Sequence, residues 1–325
     1  MRVAARERGP TALRDRRAAC YASERVRPLH VFPENGLDQG LHAPVLVGLV
    51  VSAFFAETLG WGFAGLVVPG YLAAVFATAP ITGATVLVEA LLTFLVVRAL
   101  GEWLSKSGAW AAFFGRERFF LFVVVSILVR IAMDGTVLPA VAHRFDFRQS
   151  LELYSIGLVL VPLMANSMWN SGLLDGAVHL AVTTGITYLV LRFALLPFTN
   201  LTLSHFELTY ESVTVSFLEL PKPYIVLLIG TLIAARENVL HGWDYNGILV
   251  PGLLAIAWYE PTRLASTLLE ATLIFLIARF LVSVPPLSRM LIEGPRRMVL
   301  AFALGFGLKM ILGFAAARIW PGLRM

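Results

Sequence analysis

Ten ionisable residues stand inside or beside apolar runs of this chain: Glu57, Glu89, Arg98, Arg130, Asp134, Arg192, Glu237, Glu270, Arg279 and Lys309. A charge at the middle of a bilayer costs about 2.5–3.5 kcal/mol on insertion scales, so such residues pair with one another or line a polar path. Arg130 and Lys309 are set most deeply. Arg130 follows Arg118 at the same interval at which Lys309 follows Arg297, and both arginines open otherwise apolar stretches, so the two cations occupy matched positions. Two roles suit them. They can hold the carboxylates of an anionic ligand, or Arg130 can pair with Asp134 at i,i+4 spacing while Lys309 snorkels to the interface. Arg98, Arg192 and Arg279 each end an apolar run and join them as candidate cations of an anion path. Glu57, Glu89, Glu237, Glu270 and Asp134 are the candidate pairing acids. Glu57 and Glu237 suit either an Arg98-type partner from another part of the chain or a simple interfacial position.

Catalytic constellations are not found in the sequence. It holds no Gly-x-x-x-x-Gly-Lys-[Ser/Thr], no Gly-x-Gly-x-x-Gly on a strand and no His-Glu-x-x-His. The six histidines show no ligand spacing, and the single cysteine, Cys20, excludes a disulfide framework or a cysteine metal cluster. The reading is therefore of a chain that is not an enzyme by itself, with no catalytic residue, metal or cofactor. ATP chemistry, if required, belongs to another protein.

The elements that must position these charges follow from composition. Of 325 residues, 58% are hydrophobic and 14% charged, against about 25% charged in soluble domains. The charge is also uneven: residues 1–42 carry eight Arg and five acids, whereas only Glu57 and Glu89 are charged between Gln39 and Val97. A soluble protein of this size cannot cover itself with so little polarity, so the chain is an integral membrane protein. Its basic excess, 23 of 26 residues being Arg, reads as topology information rather than nucleic-acid binding. The first long apolar run starts near Ala43, too deep for a secretory signal peptide, so no cleavage is expected.

Runs long enough to cross a bilayer lie near 43–60, 80–97, 119–135, 174–192, 222–240, 262–279 and 298–318. Three shorter stretches, Gly65–Thr78, Gly157–Asn170 and Gly247–Trp258, are interrupted by Gly and Pro and resemble one another. Each starts on glycine (Gly65, Gly157, Gly247) and reaches proline through a Leu/Val-type run; Gly70 follows Pro69 and Gly252 follows Pro251, but Leu163 follows Pro162. The prolines recur at nearly equal intervals, each preceded by an acid (Glu57, Glu152, Glu237) and followed by an Arg that ends an apolar run. A second acid, Glu89 or Glu270, follows the first and third prolines only. This is an internal repeat of about 90 residues. A proline inside an apolar run frees backbone carbonyls, which in hydrocarbon must face protein or a wet cavity. The expected fold is an all-α polytopic membrane protein with about seven transmembrane helices and three re-entrant or broken Val-Pro-Gly segments. Residues 1–42 are expected to form a mobile cytoplasmic tail, 43–197 two repeats, 198–221 a linker and 222–325 a third, partial repeat.

Counting Lys and Arg distinguishes two topologies. Re-entrant broken stretches put 18 basic residues on the side of the N-terminus against 6, with 98–118 and 279–297 on that side; fully spanning stretches give about 15 against 9. The positive-inside tendency favours the first. Residues 99–118, with Trp103, Trp110, Phe113 and Phe114 among charges, suit an amphipathic helix in the inner headgroup layer, either a docking surface or an interface anchor.

The string Gly65-Leu-Val-Val-Pro-Gly-Tyr-Leu-Ala73 resembles the PgsC/CapC family, small membrane proteins of poly-γ-glutamate (capsule) biosynthesis. The resemblance extends through Glu57-Thr58, Gly115-Arg-Glu-Arg-Phe119 and Pro162 to Asn166, covering roughly residues 45–197. Residues 222–320 look like a further partial copy, with Gly294-Pro-Arg-Arg297 in the place of Gly115-Arg-Glu-Arg118. The resemblance implies a subunit in the bacterial cytoplasmic membrane working with a cytoplasmic, ATP-dependent amide ligase of PgsB/CapB type, and with further capsule-export subunits. Two readings from other classes stand beside it: a stand-alone secondary transporter, and a membrane scaffold for an ATP-grasp-type ligase.

Overall fold

The computed structural model describes residues 29–33, 40–61, 67–106, 116–142, 154–203, 222–241, 261–285 and 292–319, with isolated positions 250, 254, 255 and 258. Nine main helices lie among them: α1 His42–Leu59, α2 Val68–Thr78, α3 Pro80–Lys106, α4 Arg116–Ala142, α5 Tyr154–Ser171, α6 Leu173–Val190, α7 Lys222–His241, α8 Pro261–Ser283 and α9 Pro295–Ile319. Helix α6 runs on through a π-helical turn, Leu191–Leu195, to Phe198. Five segments are long and apolar enough to cross a membrane: His42–Leu59, Pro80–Lys106, Leu173–Phe198, Leu264–Ser283 and Pro295–Ala315. The all-helical membrane fold is as expected. Residues 99–106, read as part of a separate surface helix, instead continue α3.

Local chemistry marks the boundaries. Helices α3, α8 and α9 open on prolines, which fit a first turn where the missing N–H has no partner to lose. Helix α1 stops at Gly60, whose φ of 66° is the left-handed cap that glycine adopts without strain. Pro69 sits in the first turn of α2, so the break in the first repeat is a helix start. In the second repeat α5 runs continuously through Pro162. Of the third stretch only positions 250, 254, 255 and 258 are described; Gly247, Pro251 and Gly252 lie outside the described residues, as does Gly65.

Helix α2 is short but central. All eight residues from Val68 to Val75 are buried, as the argument about satisfying freed backbone groups requires. Its contact with α1 is backbone against backbone: a Cβ added to Gly70 would lie 2.5 Å from the Pro44 carbonyl oxygen and the Val45 Cα, and one on Gly48 would strike the Gly70 backbone. Around it, Leu72, Val75, Val86, Phe94, Phe122 and Met164 join one apolar core.

Four contacts fix the direction of the chain. Trp61, just past α1, stacks on His179 of α6 with centroids 4.3 Å apart. Arg118, opening α4, donates to Asn170 Oδ1 at the end of α5 at 2.7 Å. Arg296, opening α9, donates to Glu57 near the end of α1 at 2.6 Å, and Lys309 further along α9 lies 3.5 Å from His42 at the start of α1. The end of the bundle carrying His42, here the near end, thus holds the start of α1 and the end of α6. The far end holds Gly60, Arg118, Gly172 and Arg296. Helices α3 and α4 form an antiparallel hairpin, since Phe94 and Phe122 both meet the edge of Trp169 and Glu89 faces Arg130. Its helix ends at Lys106 and Arg116 are at the far end.

The chain therefore travels from far to near between Gly60 and Pro80. The helix α2 covers roughly 16 Å, and the residues before it have a reach of up to about 3.3 Å each, enough together for a ~30 Å hydrocarbon core. The stretch holding Pro69 traverses instead of returning. The described parts of two stretches expected on the side of the N-terminus, 98–106 with 116–118 and 279–285 with 292–297, consequently lie at the far end, opposite His42, which contradicts the re-entrant arrangement for the first stretch.

Three helices per unit invert neighbouring units: α1–α2–α3 and α4–α5–α6 run in opposite directions. Their packing maps onto itself when α1, α2 and α3 are exchanged for α4, α5 and α6. Helix α3 packs on α5 as α6 packs on α2, and α3 on α4 as α6 on α1. Gly83 of α3 abuts Phe76 of α2, and Gly176 of α6 abuts Met168 of α5; the two glycines stand at the interval that separates Pro69 from Pro162. At the near end, within the segment read as a mobile tail, residues 29–33 are fixed. Asn200 Oδ1 accepts from the Val31 and Phe32 amides at 3.0 and 2.9 Å, and its Nδ2 donates to the Phe32 carbonyl at 2.7 Å.

Gly70→Val is expected to cost about 3 kcal/mol, the upper end of the overpacking range, because backbone rather than a movable side chain meets the new atoms. Thermal unfolding in detergent should show a clear fall for this variant and none for Gly185→Val, where the space around the glycine is open.

Candidate functional site

Four of the charges singled out in the sequence form two pairs that obey the repeat. Glu89 is the ninth residue after Pro80, which opens α3, and Glu270 the ninth after Pro261, which opens α8. Arg130 follows Arg116, the first residue of α4, at the interval at which Lys309 follows Pro295, the first of α9. Across the hairpin α3–α4, Arg130 Nη1 is 3.8 Å from Glu89 Oε2. Across α8–α9, Lys309 Nζ is 3.7 Å from Glu270 Oε1. An acid and a cation at matched places meet in two copies of one hairpin.

Burial separates the copies. The side chains of Arg130 and Glu89 are 10% and 5% exposed, whereas those of Lys309 and Glu270 are 36% and 33% exposed. The first pair sits one helical turn from Thr93 on α3 and from Ser126 on α4, both buried. The second opens on a cavity of about 1100 Å³ between α1, α8 and α9, whose walls also carry His42, Arg279, Glu293 and Arg297. Arg130 is not among the residues that line this cavity. Arg130 is a core cation held by a neighbouring helix, and Lys309 is open to a cavity.

The other candidates are distributed as follows. Glu57 pairs with Arg296, and Glu237 with His241 on its own helix at 2.8 Å. Arg98 pairs with Glu102 at 3.3 Å, one turn further along α3, so neither acid takes an Arg98-type partner. Arg192 is exposed on the π-helical turn of α6, and Arg279 is exposed at the cavity wall. Asp134 lies on α4, with its side chain outside the described set; the partner found for Arg130 is Glu89. Near the position of Glu89 the middle repeat has the buried Thr183 and Thr184, and the Thr183 hydroxyl donates to the His179 carbonyl at 2.8 Å. Asn166 Oδ1 is buried on α5 without a hydrogen-bond partner among the described residues.

Arg296 and Asn170 were missed by sequence reasoning, and the cross-hairpin pairing was missed too. A signal for the pairing exists: the interval from Glu89 to Arg130 nearly equals that from Glu270 to Lys309.

A bundle of apolar helices with matched charge pairs inside it defines a polytopic α-helical membrane protein. The sequence model of the family described as capsule biosynthesis CapC matches residues 47–177 and 229–325, and the chain belongs to that family. Among curated proteins it is similar to the PGA biosynthesis protein CapC of Bacillus subtilis (strain 168), 31% identical over 151 residues that make up 46% of this chain and 93% of that protein. It is also similar to the capsule biosynthesis protein CapC of Bacillus anthracis, 29% identical over 133 residues, 41% of this chain and 80% of that protein. No solved structure matches.

Removing one partner of a buried pair leaves an uncompensated charge and costs about 3–5 kcal/mol, while half-exposed pairs contribute about 0–1 kcal/mol. Arg130→Gln is therefore expected to abolish or sharply reduce accumulation and thermal stability, and Lys309→Gln to leave both near wild type. Quantitative immunoblotting of membranes and melting in detergent check this.

Proposed function

We propose that this chain is the membrane subunit of a poly-γ-glutamate synthesis and export system in the bacterial cytoplasmic membrane. It acts there with a cytoplasmic ATP-dependent amide ligase and is not an enzyme by itself. The observation that carries the reading is the 31% identity over nearly the whole of a protein named for PGA biosynthesis. Residues 1–42, which carry eight Arg, lead into α1, and this favours the near end as the side of the cytoplasm and the ligase. Chemistry supports the division of labour: the sequence has no phosphate-binding glycine motif of the Walker type, so the energy for amide bonds comes from the partner. The chain supplies membrane helices beside which the polycarboxylate leaves the ligase, and Lys309, open to the cavity and balanced by Glu270, is the cation available to meet it without binding it irreversibly.

One observation favours a second reading. Inverted repeats with charges at mid-depth also describe secondary transporters. A single experiment separates the two. The chain is expressed with and without the cognate ligase, and both surface polymer and gradient-driven glutamate uptake into vesicles are measured. The proposal expects polymer only when both proteins and ATP are present, and no uptake by the chain alone. Unchanged polymer without the chain would overturn it, and gradient-driven uptake by the chain alone would install the transporter in its place.

A further inference from the structure

The cavity between α1, α8 and α9 has a counterpart inside the same molecule, and the counterpart is full. One constant offset in sequence takes Glu89, Ala90, Thr93, Phe94 and Val97 of α3 to Glu270, Ala271, Ile274, Phe275 and Ala278 of α8. The first five are buried in the hairpin α3–α4; the second five line the cavity. A second constant offset does the same for the other helix of the hairpin. Phe119, Phe122, Val123, Ser126 and Arg130 of α4, all buried, correspond to Met298, Ala301, Phe302, Gly305 and Lys309 of α9, all on the cavity wall.

What covers the first hairpin is α5. Leu160, Val161, Met164, Ala165 and Met168 of α5 are buried in the same core as Phe94 and Phe122. Trp169 wedges its ring against Phe94 and Phe122, with centroids 6.1 and 6.0 Å away. The Arg118 guanidinium lies 5.7 Å above that ring and donates to Asn170. In the third unit Arg297 stands where Arg118 stands and Phe275 where Phe94 stands. Among the described residues, no helix lies over α8 and α9 as α5 lies over α3 and α4.

We propose that this cavity is the seat of a transmembrane helix from another polypeptide, an apolar helix of α5 type with an aromatic residue and an amide near its far end to meet Arg297. The wall between Arg297 and Lys309 rises about 18 Å at 1.5 Å per residue, more than three helical turns. A helix seated there would cover α8 and α9 as α5 covers α3 and α4. The seat is independent of which polymer the system makes. An acyl chain of a lipid is the competing occupant, and its apolar tail would make no use of Arg297.

The test uses the full chain in lipid vesicles and a synthetic peptide of residues 154–171, flanked by lysines and carrying a benzophenone at the Met164 position. Saturable photocrosslinking to α8 or α9 is expected, weakened at least tenfold by Ala278→Trp or Arg297→Gln in the chain, and by Trp169→Ala in the peptide. The peptide change cannot affect folding of the chain. Arg318→Gln, a near-end change, should leave crosslinking intact. Crosslinking that does not saturate, or that is indifferent to Ala278→Trp and to the peptide's tryptophan, overturns the proposal. So does a tightly retained lipid that the peptide fails to displace.

Discussion

A charge inside a membrane protein must be answered by another charge, and the pair Glu89–Arg130 is where this chain meets that requirement most severely. Both side chains are almost wholly enclosed, so each would be costly without the other. Their meeting fixes the register of α3 against α4, and with it the height at which Phe94 and Phe122 receive Trp169 of α5. Helix α5 in turn packs on α6, and α6 leads into the near-end clasp around Asn200. Much of the bundle is thus indexed to one ion pair.

The second organising feature is the start of α2 at Val68, deep within the bundle. Pro69 is accommodated there because a helix's first turn has no N–H bond to lose, and Gly70 allows α1 and α2 to touch along their backbones. The corresponding stretch of the second unit solves the problem differently. With Leu163 where Gly70 would stand, α5 stays helical through Pro162, and the Leu163 side chain packs against the core instead. The same pattern of a proline in an apolar run therefore yields a helix start in one unit and a continuous helix in the next. Both units still send three helices through the bundle.

Much of this was legible in the sequence. Composition carried the membrane class, the spacing of Pro69 and Pro162 carried the repeat, and the string around Pro69 pointed to the family. The matched positions of Glu89 with Glu270, and of Arg130 with Lys309, were each visible. Their pairing across a hairpin was not, because an i,i+4 partner, Asp134, was nearer in sequence than the partner in space. Topology was misjudged for a physical reason. A short apolar segment is more often re-entrant than spanning, but the contacts of α1, α3 and α6 put Gly60 and Pro80 at opposite ends of the bundle. The contrast between a sealed and an open charge pair was also beyond reach of sequence, since it depends on which hairpin α5 lies against in space.

The two hairpins together give the protein a rigid half and an open half built from the same pattern. In the first, an ion pair is a structural fixture; in the second, it faces a cavity bordered by Arg279 and Arg297. A membrane subunit of a capsule system has use for both, a fixed bundle and an accessible charged seat. The claim that the copies differ in being covered is tested most directly by thiol reactivity at equivalent positions, Val97 and Ala278, each replaced by Cys in a Cys20→Ser background. Val97 is fully buried and Ala278 lines the cavity. In the purified full chain the account predicts that Ala278→Cys reacts with a small maleimide at least a hundredfold faster than Val97→Cys. Equal rates at the two positions would contradict it.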